Sequence, residues 1–343
     1  MGFSWVNYLS LFVFSFLLVG FSTPLIRKVA VRFQVVDSPD QDHKTHVNPT
    51  PYLGGVGIAL GITVISFSAT LLTNSDLIPL LASILIPAVL LGAIGLIDDI
   101  FNLSPLPRFL AQSLVGLVVS LILVMTNTVG SPTESDLIDM LITIFFVIAL
   151  CNSINFFDNI DGGAAGAVTI SSLTLALLSA QSSQYYLAAM SVVVGGSTLG
   201  FLWWNKSPAR IYMGDAGSLF LGLLLASLLV RFEPNPINVY ARFAVPLLLV
   251  AIPLLDTCVA ILSRLSRGVS PFLGGRDHLS HRLMNKGIGK AVSVGILWIL
   301  STFFAILAIV LSFAPNSLEF LLAVSSFVLW LISLFMFSRL PIE

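Results

Sequence analysis

Residues 77–99 read LIPLLASILIPAVLLGAIGLIDD. The first 21 of them, Leu77 to Ile97, carry no charged side chain, and the adjacent carboxylates Asp98 and Asp99 close the run. A helix needs about 20 apolar residues to cross the hydrocarbon core of a bilayer. The stretch therefore predicts a spanning helix that ends in acid. The rest of the chain repeats this theme. Of its 343 residues, 57% are hydrophobic and 10% are charged, whereas soluble domains carry roughly 25% charged residues. That balance excludes an ordinary soluble globule, and the apolar content excludes a disordered chain. There is no basic arm or block, so nucleic acid is not an expected partner. The two cysteines, Cys151 and Cys258, lie in apolar runs and offer neither a disulfide framework nor metal-ligand spacing.

Eleven apolar runs can be read along the chain, at 5–26, 53–73, 77–97, 108–127, 137–155, 164–181, 185–204, 216–231, 241–263, 290–313 and 318–338. They predict an all-α integral membrane protein, a bundle of about eleven transmembrane helices forming a single polytopic domain over 1–343. The first run lacks a cleavage pattern and reads as an anchor helix. Eleven spans sort the connections onto two sides. One side collects 14 of the 16 Lys and Arg residues, leaving only Arg231 and Arg242 on the other. Positive charge marks the cytoplasmic side. The N-terminus is thus expected outside and the C-terminus inside, in a multi-pass cell-membrane protein. His43, His46, His278 and His281 all fall on the same inner side.

Five polar clusters on that side call for explanation. Asp98 and Asp99 sit at a helix end, where two like charges face the negative pole of the helix dipole. They fit either a divalent cation site, since hard cations take carboxylate oxygens, or a solvated turn. Asn152, Asn155, Asp158, Asn159 and Asp161 crowd into ten positions before Gly162-Gly163. If the helix continues, Asn152/Asn155 and Asp158/Asp161 each share a face. Tyr212-Met-Gly-Asp215-Ala-Gly-Ser opens the eighth run, and its helix amides could meet an anion, or Asp215 could simply cap the helix. Arg264 to Arg282 form the longest inner loop, with His278 and His281 three apart, and Arg276 and Arg282 suit phosphate. The first inner loop, 37–55, offers Lys44 and His46 as phosphate contacts. Asp256, in PLLDT, is the acid that stands inside a run, as a cavity-lining or a helix-packing group.

In this order the clusters resemble the polyprenyl-phosphate N-acetylhexosamine-1-phosphate transferases, over residues 37–282. The resemblance implies ten or eleven membrane helices with a cytoplasmic active site. It also implies the reaction: a UDP-N-acetylhexosamine, here expected to be UDP-N-acetylglucosamine, and a polyprenyl (undecaprenyl) phosphate give UMP and a lipid-diphosphate-linked sugar. Such products start cell-envelope glycan assembly. Mg²⁺ is the implied cofactor, with Mn²⁺ as substitute. By matching motifs, Asp98, Asp99 and His278 are the catalytic candidates, and Asp215, Asn155 and Asp99 the metal ligands. Lys44, His46, Arg108, Asp158, Asp161, Tyr212, Arg276 and His281 are the substrate contacts, with Tyr212 against uracil and Arg108 on the lipid phosphate. Asp98 fits a base or a covalent aspartyl-phosphate route. A homodimer is left open.

Many members carry Pro-Asp-Arg-x-His-x-His-His in the last loop. Here Arg276, His278 and His281 align with it, while Gly275 and Ser280 depart. The triple histidine of the muramoyl-pentapeptide branch is absent, which argues against that donor. The rivals to this reading are a transporter or lipid flippase, a muramoyl-pentapeptide phosphotransferase and a noncatalytic scaffold. Transport predicts charges near mid-span, whereas here they gather at one face.

Overall fold

The computed structural model describes residues 4–37, 50–101, 103–125, 133, 135–234, 239–271 and 274–342. Lys44 and His46 lie outside the described residues, as does the side chain of Arg108. Helix α1 spans Trp5–Arg32 and leads into β1, Val36–Asp37, which pairs antiparallel with β2, Thr50–Pro51. Then follow α2 (Gly54–Thr73), α3 (Ile78–Phe101), α4 (Pro105–Met125), α5 (Asp136–Phe157), α6 (Gly163–Gln181) and α7 (Tyr185–Asn205). The chain continues through α8 (Gly214–Leu229), α9 (Val239–Leu249), α10 (Ala251–Ser266), α11 (Leu279–Asn285), α12 (Lys290–Ser312) and α13 (Asn316–Ser338).

Each of the apolar runs is helical over most of its described residues. Among the described residues eight helices are long and apolar enough to cross a membrane, and α9 with α10 forms a further pair bent by 70°. The bend has a local cause. Pro253 lacks an N–H and its ring excludes the carbonyl four residues back, which is that of Leu249. That freed carbonyl accepts instead from the Ser171 hydroxyl on α6. The 241–263 run, read from the sequence as one span, is therefore a broken helix.

The centre of the bundle is α8, packed against α2, α3 and α5. Every residue from Ala216 to Leu229 is buried. A helix that is apolar all round belongs inside a bundle, and α8 can be short because protein, not lipid, surrounds it. Large apolar side chains face outward on the periphery, among them Phe14 and Phe21 on α1, Phe145 on α5, Ile299 on α12, and Phe320 and Phe335 on α13. Exposed apolar surface on this scale marks contact with lipid.

Two close approaches fix the end of α8 that carries Asp215. The amides of Gly54 and Gly55 donate to the carbonyls of Tyr212 and Met213 at 3.0 and 2.8 Å. A methyl group on Gly55 would lie 2.1 Å from the Gly217 nitrogen, so only glycine allows the two helices to meet here. At the far end of the chain, Arg282 is buried and its Nε donates to the Asp277 carbonyl at 3.0 Å. Its Nη1 reaches the carbonyls of Phe337, Ser338 and Leu340, the last at 2.7 Å. Arg282 thus clamps α11 to the end of α13. The Nε and Nη1 donors of this guanidinium, read from its sequence setting as suited to phosphate, are thus engaged by carbonyls of the protein itself.

Candidate active site

The polar clusters come together at the Asp215 end of α8. Asp99, on the last turn of α3, accepts from the backbone amides of Asp215 and Ala216 at 2.8 and 3.0 Å. These are first-turn amides of α8, which no carbonyl within the helix can satisfy. The amides expected to meet an anion are therefore occupied by a carboxylate of the protein itself. Gly214 supports this with φ +73, beside Asp99. The Tyr52 hydroxyl donates to the Asp99 carbonyl at 2.7 Å. Asp98 is buried, and its Oδ1 accepts from the Leu103 amide at 2.8 Å, closing the turn after α3.

Asn155, near the end of α5, donates through Nδ2 to Asp215 Oδ1 at 2.7 Å and to the Ser218 hydroxyl at 2.9 Å. Helix α5 ends at Phe157, so Asp158 and Asp161 lie on the connecting turn and not on a shared helix face. The turn closes at Gly162, whose φ of +76 suits glycine. Asp161 is buried, accepts from the Ala209 amide at 3.1 Å and pairs with Lys290 at 2.8 Å. Asp158 is different. Burial first, then the charges of Asp215, Asp99 and Asp161, push its carboxyl well above the usual carboxylate range. Four carboxylates thus act on one another here, and Lys290 on Asp161 is a cation bound among them.

The last loop forms a second group. Asp256 on α10 accepts from His278 Nδ1 at 2.7 Å. Arg264 holds Asp277 through Nε at 3.0 Å and Nη2 at 2.8 Å, and Arg267 adds a bond to Asp277 at 2.7 Å. Burial alone would raise the Asp277 carboxyl. The hydrogen bond and charge of Arg264 overcome it and hold the group below the ordinary range. His281 lies beside His278, with ring centroids 5.8 Å apart, and its Nδ1 is buried with no hydrogen-bond partner among the described residues. Tyr212 and Arg276 are both half-buried. Among the described residues no three His, Cys, Asp or Glu side chains form a finished metal cage.

The sequence pattern of glycosyl transferase family 4 matches residues 81–233, which include Asp98, Asp99, Asn155, Asp158, Asp161, Tyr212 and Asp215. A decaprenyl-phosphate N-acetylglucosaminephosphotransferase of Mycolicibacterium smegmatis is 34% identical over 316 residues, 81% of this chain and 76% of the relative. The chain belongs to glycosyl transferase family 4. A probable undecaprenyl-phosphate N-acetylglucosaminyl 1-phosphate transferase of Bacillus subtilis is 28% identical over 330 residues, 95% of this chain and 89% of the relative. An undecaprenyl-phosphate alpha-N-acetylglucosaminyl 1-phosphate transferase of Yersinia pestis is 29% identical over 339 residues, 94% and 88% of the two chains.

In this family 4 chain the structure joins Asp99, Asn155, Asp158, Asp161 and Asp215 into one cluster, and His278 and His281 into another. Asp256 and Lys290 enter as partners that sequence reasoning did not assign to the site. The signal for Asp256 was its charge inside an apolar run. His281 also carries a pH signature. Burial first, then the charge of His278, lower its imidazole from 6.5 to about 4. The unfolded chain takes up this proton below 6.5, and the folded chain only near 4. The stabilisation is therefore full above 6.5 and is lost as the pH falls towards 4. The melting temperature in detergent should drop across that window, and His281→Gln should flatten the drop.

Proposed function

We propose that the chain transfers N-acetylglucosamine 1-phosphate from UDP-N-acetylglucosamine to a polyprenyl phosphate, releasing UMP and leaving a lipid-diphosphate-linked sugar. The observation that carries this reading is the convergence of Asp158 with Asp99, Asp161 and Asp215 at the polar end of a helix otherwise sealed in an apolar bundle. Both the sugar phosphate and the lipid phosphate appear in the names of the relatives.

The donor set fits Mg²⁺, with Mn²⁺ as a substitute. It is all oxygen, as hard cations require, and carboxylates sit together with little counter-charge. Mg²⁺ typically takes one or two carboxylates and completes its shell with water and substrate phosphate, so a finished protein cage is not needed. Asp215 and the carbonyl oxygen of Asn155 would hold it, with Asp99 bracing the backbone behind. Bound there, the ion would neutralise the diphosphate and the departing UMP.

The protein's own groups do the positioning that dominates phosphoryl transfer. Asn155 aims Asp215, and Asp99 fixes the turn from which Asp215 projects. Asp158 and Asp161 orient the donor, and Tyr212 lies against uracil. Arg276 and the orphan Nδ1 of His281 supply donors for phosphate oxygens. Lys44, His46 and Arg108 are assigned to phosphate by the resemblance. Asp98 need not act as a base, because the second pKa of a phosphate monoester is about 6 and the attacking oxygen is already ionised near neutrality.

Eleven spans, with the N-terminus outside and the site facing the cytoplasm, complete the proposal, supported by 14 of 16 cations on one side. Membranes bearing the chain should release UMP from UDP-N-acetylglucosamine only when polyprenyl phosphate and Mg²⁺ are both present. UDP-N-acetylmuramoyl-pentapeptide should give no product. Failure to release UMP from any member of a UDP-sugar panel would overturn the transferase reading.

A further inference from the structure

Three elements meet at Asp256. Its side chain is fully buried, at 0% exposure, on α10. Oδ2 accepts from His278 Nδ1 at 2.7 Å and from Asn159 Nδ2 at 3.4 Å. Oδ1 accepts from the Leu279 amide at 2.7 Å. The Ser280 hydroxyl, from the same loop, donates to Asn159 Oδ1. One carboxylate therefore ties the last loop to the polar end of α5, where Asn155, Asp158 and Asp161 stand.

The far side of the imidazole is also held. His278 Nε2 faces Arg264 Nη2 at 3.3 Å. A guanidinium only donates, so Nε2 is the acceptor and Nδ1 carries the proton. The carboxylate on Nδ1 is what selects that tautomer. Phe156 closes the site, edge to face with His278 at 5.9 Å and beneath Arg264 at 5.4 Å. Burying a carboxylate is costly unless its lone pairs are filled, and each of the three donors to Asp256 comes from the α5 end or the last loop. A group serving only the packing of α10 would not need to hold an imidazole.

We propose that Asp256 is a positioning residue of the transfer reaction, holding His278 in its Nδ1-protonated form and setting the last loop against the polar end of α5. The proposal rests on the transferase reading above. Asparagine at this position is nearly the same shape but brings an N–H₂ group. Facing Leu279, that group meets another donor. Facing His278, it forces the proton onto Nε2, against the Arg264 guanidinium. Either way the arrangement is lost while the volume is kept.

The test uses the full chain in detergent with UDP-N-acetylglucosamine, undecaprenyl phosphate and Mg²⁺. Wild-type turnover is measured first, and its absence overturns the transferase reading, not the role of Asp256 within it. Given turnover, Asp256→Asn should lower kcat by about 10- to 100-fold, the range for groups that orient a catalytic ligand, with the KM for the donor little changed. Asp256→Glu, which keeps the charged acceptor, should recover part of the loss. His278→Ala should be impaired as well, and adding Asp256→Asn to it should cost little more, because groups acting through one another are not additive. Wild-type kcat in Asp256→Asn, or losses that multiply in the double variant, would overturn the proposal. So would a misfolded Asp256→Asn beside a folded His278→Ala, since Asp256 would then serve the fold and not the imidazole.

Discussion

Asp215→Asn should yield a folded, membrane-inserted protein whose turnover is reduced by about 10²- to 10³-fold, the scale on which a single preorganised charge-stabilising group acts. The fold should survive because asparagine keeps the oxygen that accepts from Asn155 Nδ2 at 2.7 Å. The bonds from the Asp215 and Ala216 amides to Asp99 come from the backbone and are unaffected. What disappears is one negative charge next to Asp158 and Asp99. Without divalent cation the variant should be no less stable than the wild type, since a repulsion is relieved. With Mg²⁺, the wild type should gain melting temperature through ligand linkage, and the variant should gain much less. Full turnover in Asp215→Asn would remove Asp215 from the proposed metal site.

Gly55→Ala should cost far more in folded yield than a methyl group added at a glycine with open space around it. On helix propensity alone the change should help, by up to about 1 kcal/mol. Tertiary packing reverses the sign. The added carbon would lie 2.1 Å from the Gly217 nitrogen and 2.8 Å from the Met213 carbonyl oxygen, and neither can swing aside as a side chain would. Overpacking of this kind costs about 1–3 kcal/mol, and more where backbone is the obstacle. The α2–α8 contact would open, carrying Tyr212 and Asp215 with it. Gly295→Ala on α12 is the control, because nothing lies within 4 Å of the new methyl. Equal melting temperatures for the two variants would show that the α2–α8 approach is not tight.

The helices were legible in the sequence because a run of apolar residues is a local signal. Runs such as 77–97 and 290–313 correspond closely to α3 and α12. The acidic cluster was legible for a related reason: in a chain so poor in charge, Asp98, Asp99, Asp158, Asp161 and Asp215 stand out. Their pairings were not. Asp99 meets the Asp215 amide across 116 positions, and Asn155 meets Asp215 across 60. No periodicity encodes such contacts. The structural role of Arg282 was equally hidden, because the carbonyls it holds at the end of α13 lie 55 to 58 positions away. Asp256 looked equally suited to a cavity or to packing, and only its bond to His278 distinguishes it. The break at Val250 was hidden because 241–263 is an apolar run long enough to span in one piece, with Pro253 in its middle.

The bond from Asp99 to the first amides of α8 also bears on what the site can attract. Two of the first-turn amides at the positive pole of that helix are already engaged from inside the protein, by a side chain that cannot leave without exposing them. The region around it is then governed by the remaining acids. Under the proposed function, a bare phosphate approaching Asp215 would be repelled, whereas one that arrives with its counter-charge would not. The site then takes its phosphates together with their counter-ions, and donor binding should rise with the supply of free Mg²⁺ as well as of nucleotide.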